Sequence, residues 1–292
     1  MPRETWTILE VLKWTTSYLR SNGIEQPRLD AEILLAHALG IDRVGLYLRY
    51  DQPLTDSELS AYKGLIRRRI RREPIAYITG LREFWSLDLF VTPDVMIPRP
   101  ETEILVEAAL SLITNKKTTN HWTVLDLGTG SGAIVIALAC KEPAQKYYAT
   151  DVSKAALGVA RKNAYRHGVE GMITFLNGYW FEPVRNLGRY FDMIISNPPY
   201  IKRSHLKNLA PEINEYEPRI ALDGGEDGLT ALRYLAKHSA EYLSPDGSIL
   251  FEIDHEQRDA VVGLLAETKR YKDIVVLKDY SGLDRAVQAR VA

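Results

Sequence analysis

Over the first 75 residues the apolar positions recur at helical spacing. Ile8, Val11, Leu12, Tyr18 and Leu19 share one face, and Asn22-Gly23 marks a stop. A second helix is predicted from about Arg28 to Leu39, with Ala31, Leu34, Leu35 and Ala38 on one side and Gly40 as its terminator. Thr55 and Glu58 form a capping-box pair ahead of Leu59, Tyr62, Ile66 and Ile70, and Pro74 ends that helix. The period then shortens. Ala76-Tyr77-Ile78-Thr79 and Leu87 to Thr92 read as two strands of a hairpin linking two domains. Beyond Pro98-Arg99-Pro100 a helix is expected from Glu101 to Ile113, followed by a polar exposed loop from Thr114 to His121.

The remainder alternates strand and helix patterns, with strands near 122–127, 147–150, 172–176, 191–195, 248–253, 273–278 and 285–290. Such alternation implies an α/β fold, an open and mainly parallel sheet with helices on both faces. The organisation is therefore a helical domain over 1–75, a β-hairpin linker over 76–97 and an α/β domain over 98–292. Ile201 to Gly228 has no clear period and is longer than an ordinary connection, as functional loops often are.

Charge changes the picture only by exclusion. Lys and Arg number 37 and Asp and Glu 38, so a protein whose affinity comes mainly from neutralising phosphates is disfavoured. The one cysteine, Cys140, has no internal disulfide partner and ends an apolar helical run, which fits a core position in a reducing, cytoplasmic setting. Met1 to Leu12 lacks the apolar centre of a signal peptide, and the run Ala133 to Cys140 is far short of a membrane span, so no membrane association is expected. The six histidines are scattered, and no metal site is expected.

Candidate chemistry begins at Val124-Leu125-Asp126-Leu127-Gly128-Thr129-Gly130-Ser131-Gly132-Ala133, a strand, a glycine-rich turn and a helix start. Glycines there let the backbone approach a ligand where a Cβ would collide. Asp151 lies 19 residues beyond Gly132, where an acidic side chain accepts hydrogen bonds from ribose hydroxyls. Together they indicate an adenosine-containing cofactor. Gly128, Gly130 and Ala133 also satisfy the GxGxxA fingerprint, so this loop alone leaves a nicotinamide cofactor open.

Asn197-Pro198-Pro199-Tyr200 follows the strand near 191–195. A planar NH2 group needs two acceptors in its plane and an apolar face against its surface. The Asn197 side-chain oxygen and the Pro198 carbonyl can supply the acceptors, and the Tyr200 ring the face, while the prolines stiffen the turn.

This turn after a DLGTGSG loop resembles the amino methyltransferases that use S-adenosylmethionine. With Arg72 to Gly80, Phe84, Ile97 to Glu103 and Ser196 to Ile201, the chain resembles over nearly its whole length the HemK/PrmC-type release-factor glutamine N5-methyltransferases. Glu217-Pro218, Ala221-Leu222 and Asp223 to Leu229 match further landmarks of that family and carry no assigned chemistry.

The resemblance implies a Rossmann-like class I methyltransferase domain, seven-stranded with an antiparallel last strand, and a small helical N-terminal domain that contacts the protein substrate. It places S-adenosylmethionine, and the S-adenosylhomocysteine product, on Gly128, Thr129, Gly130, Ser131, Gly132, Asp151, Trp180 and Asn197. It places the acceptor amide on Asn197, Pro198, Pro199 and Tyr200, with Asn197, Pro198 and Tyr200 catalytic. The implied acceptor is the glutamine of the Gly-Gly-Gln motif of class 1 peptide-chain release factors, whose methylation tunes translation termination. Neither a stable nucleic-acid partner nor a membrane is implied. The chain departs from the family at Tyr179, where an acidic residue usually precedes Trp-Phe, and at Asp254, where glycine is usual.

The alternatives are an adenine or guanine amino methyltransferase acting on nucleic acid, a ribosomal-protein glutamine methyltransferase, and a non-catalytic module retaining the cofactor pocket. The basic run Arg67-Arg68-Arg69-Ile70-Arg71-Arg72 reads as a solvated helix end, or else as a docking surface for an acidic substrate patch or RNA. On the docking reading, charge reversal there weakens substrate binding and leaves cofactor affinity unchanged; unaltered methylation kinetics would remove that reading.

Overall fold

A computed structural model describes residues 6–115, 121–188 and 190–292. Of the expected polar loop, residues 116–120 lie outside the described residues, as do residues 1–5 of the start. The chain divides into two compact units, one running to Gly80 and including Ala210–Tyr216, the other comprising Leu81–Leu209 and Glu217–Ala292.

The first unit contains α1 (Ile8–Ser21), α2 (Pro27–Leu39), α3 (Arg43–Leu48), α4 (Asp56–Ile70) and α5 (Ile75–Thr79). Capping boxes open α1 at Thr7 and Glu10 and α4 at Thr55 and Glu58, and Gly40 in the left-handed conformation closes α2. Ile8, Leu12, Leu19, Leu34, Leu35, Leu46 and Tyr62 form the core, each worth roughly 1.5–3 kcal/mol on burial. The Tyr62 hydroxyl escapes an unpaired burial by donating to the Ala31 carbonyl at 3.0 Å.

Ala76-Tyr77-Ile78-Thr79, expected as a strand, is helical. Tyr77 and Ile78 N–H both donate to the Pro74 carbonyl, and Gly80 at φ 74° terminates the turn. Ala76, Tyr77 and Ile78 are all buried, so the run carries no alternation from which a strand could be told from a helix. The hairpin is instead β1 (Leu81–Phe84) with β2 (Leu87–Phe90), and its Phe84 and Leu89 join the core of the second unit. Residues 76–97 are thus divided between the helical unit and the sheet unit.

The sheet unit continues with α6 (Glu103–Asn115), β3 (Thr123–Leu127), α7 (Ala133–Lys141), β4 (Lys146–Asp151), α8 (Lys154–Arg166), β5 (Ile173–Asn177) and β6 (Phe191–Ser196). After β6 comes the long connection, whose α9 (Pro211–Asn214) belongs to the helical unit. Then follow α10 (Thr230–His238), β7 (Leu243–Glu252), α11 (Arg258–Glu267), β8 (Tyr271–Lys278) and β9 (Asp284–Val291). Among the described residues the strands form a 7-stranded sheet in the order β5-β4-β3-β6-β7-β9-β8, parallel from β5 to β7, with β9 antiparallel to both neighbours. Two apolar clusters, one including Val124, Val135, Ile136 and Ile195, the other Leu127, Ile194, Leu232, Phe251 and Val261, build the core of this unit.

The basic run is divided between exposed arginines and arginines held in ion pairs within the helical unit. Arg68 pairs with Glu73, and Arg72 pairs with Glu212 and donates to the Gly23 carbonyl. Arg69 is buried, 2.7 Å from Asp30 and 3.0 Å from Glu212. Only Arg67 and Arg71 of the run are exposed. Burial raises the Asp30 carboxyl above its ordinary value even with the Arg69 guanidinium beside it. Charge reversal across 67–72 is therefore expected to destabilise the helical unit through Arg69, and does not isolate an effect on docking. Arg69→Ala is expected to cost the helical unit about 3–5 kcal/mol, because it leaves Asp30 buried and unpaired. Arg71→Ala should cost about 0.5 kcal/mol or less. Urea unfolding followed by far-UV circular dichroism checks both, and equal midpoints for the two variants would refute this assignment.

Candidate functional site

The loops leaving β3, β4, β6 and β7 at their carboxyl ends hold the residues of interest, as expected for an open parallel sheet. Asp126 lies inside β3 between Leu125 and Leu127 and is buried. Thr129 Oγ1 donates to its Oδ2 at 2.6 Å, while Oδ1 has no partner. Burial pushes this carboxyl up to about 7. Its bond folds the first residues of the glycine loop back onto the strand.

Gly128 and Thr129 N–H both donate to the Thr150 carbonyl, and Gly130 N–H donates to Asp151 Oδ2 at 2.9 Å. Gly130, at φ 55°, opens onto free space where a Cβ would enter a cradle. Gly132 has a different task. A Cβ there would lie 2.7 Å from Ile136 Cδ1 and 3.2 Å from Ala160 Cβ, so its absence lets α7 and α8 pack closely. Buried Asn163 braces the loop by donating to the Ser131 carbonyl at 2.9 Å and exchanging bonds with the Phe90 backbone.

Asp151 ends β4 with Oδ1 accepting Ser153 N–H and Oδ2 accepting Gly130 N–H. Burial raises its pKa, against the pull of those N–H groups. Trp180 stands after β5 at φ 45° and stacks on Tyr234, with ring centroids 6.5 Å apart. Its Nε1 is buried without a partner. Tyr179 meets the Trp180 ring edge-on at 5.8 Å and is 48% exposed, an aromatic neighbour in place of a carboxylate.

A cavity of about 300 Å³ is walled by Gly128, Thr129, Gly130, Ser131, Asp151, Trp180, Asn197 and Pro199 from the expected set, with Thr102 among the other walls. That volume lies at the lower edge of the range for small-molecule sites. The open cradle at Gly130 and the orphaned Trp180 Nε1 fit an adenosine-containing group. Gly132, Pro198 and Tyr200 are not among its walls, because Gly132 serves packing, Pro198 is buried and the Tyr200 hydroxyl turns to a buried acid. Among the described residues no cluster of three or more His, Cys, Asp or Glu could hold a metal ion. No helix among them is long and apolar enough to cross a membrane.

Around the turn after β6 the structure adds partners that the sequence did not reveal. Asn197 Nδ2 donates to Thr102 Oγ1 at 3.0 Å, so Oδ1 is the side-chain atom left to accept. Tyr200 O–H donates to Glu252 Oε1 at 2.9 Å, and burial holds that phenol protonated far above neutral pH. Gln257 Nε2 donates to the carbonyls of both Tyr200 and Gly228. Asp254 opens a capping box with Gln257, which gives the departure from glycine there a local role. The acidic turn Asp223 to Gly228 is a clamp. A Cβ on Gly224 would lie 2.7 Å from Tyr200 backbone atoms, and one on Gly228 would lie 2.5 Å from the Tyr200 carbonyl oxygen. Arg99 pairs with buried Glu217, which also accepts Ile97 N–H, fixing the far end of the long connection. The available signal was an acid inside an apolar strand, at Asp126 and at Glu252 in Ile249-Leu250-Phe251-Glu252-Ile253.

The family described as PrmC N-terminal domain matches residues 10–80, and that described as Methyltransferase small domain matches 102–215. The chain is similar to a release factor glutamine methyltransferase of Geobacter sulfurreducens, 44% identical over 99% of this chain and 98% of the relative. It is 40% identical to a release factor glutamine methyltransferase of Moorella thermoacetica over 97% of this chain and 98% of the relative. A solved methyltransferase from Pyrococcus furiosus shares the fold, with a TM-score of 0.52 at 19% identity, covering 77% of this chain and 98% of its own.

The clamp makes a stability prediction. Gly168 and Gly228 have similar positive φ, 71° and 77°, but only Gly228 has backbone within contact distance of an added Cβ. Gly168→Ala should cost about 1 kcal/mol from conformation alone. Gly228→Ala should cost at least about 2 kcal/mol more, the strain of forcing a methyl group onto the Tyr200 carbonyl. Denaturant midpoints compare the two directly, and equal losses would show that the close approach is not a constraint.

Proposed function

This chain belongs to the release factor glutamine methyltransferase family, and we propose from that premise how its own residues carry the family's reaction. It is an S-adenosylmethionine-dependent protein glutamine methyltransferase. The acceptor in this reading is the glutamine of the Gly-Gly-Gln motif of class 1 peptide-chain release factors, and the setting is the cytoplasm, with no stable nucleic-acid partner and no membrane. The helical domain read over 1–75 recognises the protein substrate.

The supporting observation is the orientation of Asn197. Its NH2 is taken by Thr102, which turns Oδ1 into an acceptor at the wall of the cofactor cavity. An amide nitrogen is a weak nucleophile because its lone pair is shared with the carbonyl, so placing it is the enzyme's main task. Asn197 Oδ1 and the Pro198 carbonyl hold the two N–H groups of the acceptor amide, and Tyr200 restricts its plane. Well-placed reactants recover up to roughly 7–11 kcal/mol of a barrier. S-adenosylmethionine supplies an electrophilic sulfonium methyl when bound. Gly128 to Ser131, Asp151 and Trp180 would hold it. The nucleic-acid reading loses support from the arginines, since Arg68, Arg69 and Arg72 are spent on internal ion pairs rather than laid out as a track.

An acceptor-only cradle rejects a carboxylate. Label from S-adenosylmethionine is expected on intact release factor, none on its Gly-Gly-Gln Gln→Ala variant, and about 10⁴-fold less on the Gln→Glu variant. Comparable transfer to Gln→Glu would overturn the hydrogen-bond scheme, and label on an undermethylated nucleic-acid sample would overturn the assigned acceptor.

A further inference from the structure

Behind the turn that holds Asn197 and Tyr200 lies a carboxylate that the scheme above does not use. Glu252, the last residue of β7, is 1% exposed. Its Oε1 accepts the Tyr200 hydroxyl at 2.9 Å, and Oε2 is buried without a hydrogen-bond partner, while the neighbouring Thr102 hydroxyl acts to lower the carboxyl's pKa against the effect of burial. Thr102 is in turn the acceptor for Asn197 Nδ2 at 3.0 Å. Because Thr102 Oγ1 is already receiving that N–H, its own hydrogen is free to point toward Glu252.

We propose that Glu252, as a carboxylate, is the positioning residue that orients both halves of the acceptor cradle, Asn197 through Thr102 and Tyr200 directly. The proposal rests on the methyltransferase reading above and adds a residue to it. In the charged form Glu252 only accepts, so both hydroxyls point toward it and Asn197 must turn its NH2 inward and its oxygen outward. Each donated bond polarises the next. Thr102, donating to an anion, becomes a better acceptor for Asn197 N–H, and the Asn197 oxygen gains electron density where the acceptor amide becomes positive during methyl transfer. Protonation gives Glu252 a donor of its own and reverses one of these contacts.

The surroundings place this change within an accessible pH range. Burial raises the Glu252 carboxyl to about 7, opposed by the Thr102 and Tyr200 hydroxyls and the Arg285 guanidinium of β9, and assisted by the Glu101 charge. Arg285 does not neutralise Glu252 outright, since its Nε is held by Asp279 at 3.1 Å. Asp254 beyond the strand adds to the negative charge facing Tyr200. The active form is the deprotonated one, so kcat rises with pH through about 7 and levels off above it.

The test measures methyl transfer to release factor from pH 5.5 to 9 for the wild type, Glu252→Gln and Thr102→Val, with the Kd for S-adenosylhomocysteine and the infrared carboxyl band of each. In the wild type, kcat should fall close to tenfold per pH unit on the acid side. Glu252→Gln should lose at least tenfold in kcat at pH 8, lose the acid limb, remove a carboxyl band that titrates near 7, and retain the wild-type Kd. Thr102→Val should lose kcat and keep the titrating band. Glu252→Gln with the wild-type kcat and acid limb overturns the proposal, and so does a titrating band that persists in it. An unfolded Glu252→Gln leaves Thr102→Val to decide, since wild-type kcat in that variant breaks the relay. A wild type that binds S-adenosylhomocysteine but methylates no release factor defeats the functional reading instead.

Discussion

The turn after β6 depends on one close approach, the Tyr200 backbone lying against Gly224 and Gly228 with no room for a Cβ between them. In the proposed reading this turn presents a side-chain oxygen and a main-chain carbonyl in fixed directions, and two prolines alone fix φ without fixing where the turn points. Direction comes from outside the turn. Gln257 ties the Tyr200 and Gly228 carbonyls together, and the Ile201 and Asp223 backbones form a bridge beside them. An Arg203 ion pair with Asp223 lies at the exposed edge of the same loop and contributes little by comparison. The long connection is thus a brace whose glycines are dictated by steric contact.

The glycine-rich loop after β3 rests on a different solution to the same problem. Two parallel strands, β3 and β4, deliver the Asp126 carboxylate, the Thr150 carbonyl and the Asp151 carboxylate to one loop, and each accepts hydrogen bonds from it. A glycine-rich loop loses more conformational entropy on ordering than any other, so it needs these anchors to be rigid before a ligand arrives. Asn163, reaching from α8 to both Ser131 and Phe90, extends the bracing to the β-hairpin. The hairpin therefore packs with the sheet unit.

Much of this was legible in the sequence. Strand positions followed from short apolar runs bounded by turn residues, and the glycine loop, Asp151 and the Asn197 turn were marked by residue types whose chemistry is narrow. What was not legible has a common cause: it lies in contacts between distant segments. Thr102 meets Asn197 across 95 positions and Tyr200 meets Glu252 across 52, separations at which local pattern carries no information. The arginine run misled for the same reason. A helix end rich in Arg67, Arg68 and Arg69 reads as solvated until Asp30 and Glu212 are brought to it by the fold. The segment 76–79 misled because every residue from 76 to 78 is buried, and a fully buried stretch has no period to read.

Two acids, Asp126 and Glu252, sit in the strands that feed the two halves of the site, and each has an oxygen without a partner. Such groups are costly, since an unsatisfied buried oxygen forfeits about 1–3 kcal/mol that an apolar residue of similar size would not. Placing one in a buried strand is justified only if its directionality does something packing cannot. At Asp126 that is holding Thr129 so that the loop begins its turn, and at Glu252 it is fixing the Tyr200 hydroxyl. A leucine at either position would fill the volume and strengthen the core. It would also release the hydroxyl that the acid restrains, and in the proposed reading a cradle for a weak nucleophile depends on orientation more than on stability.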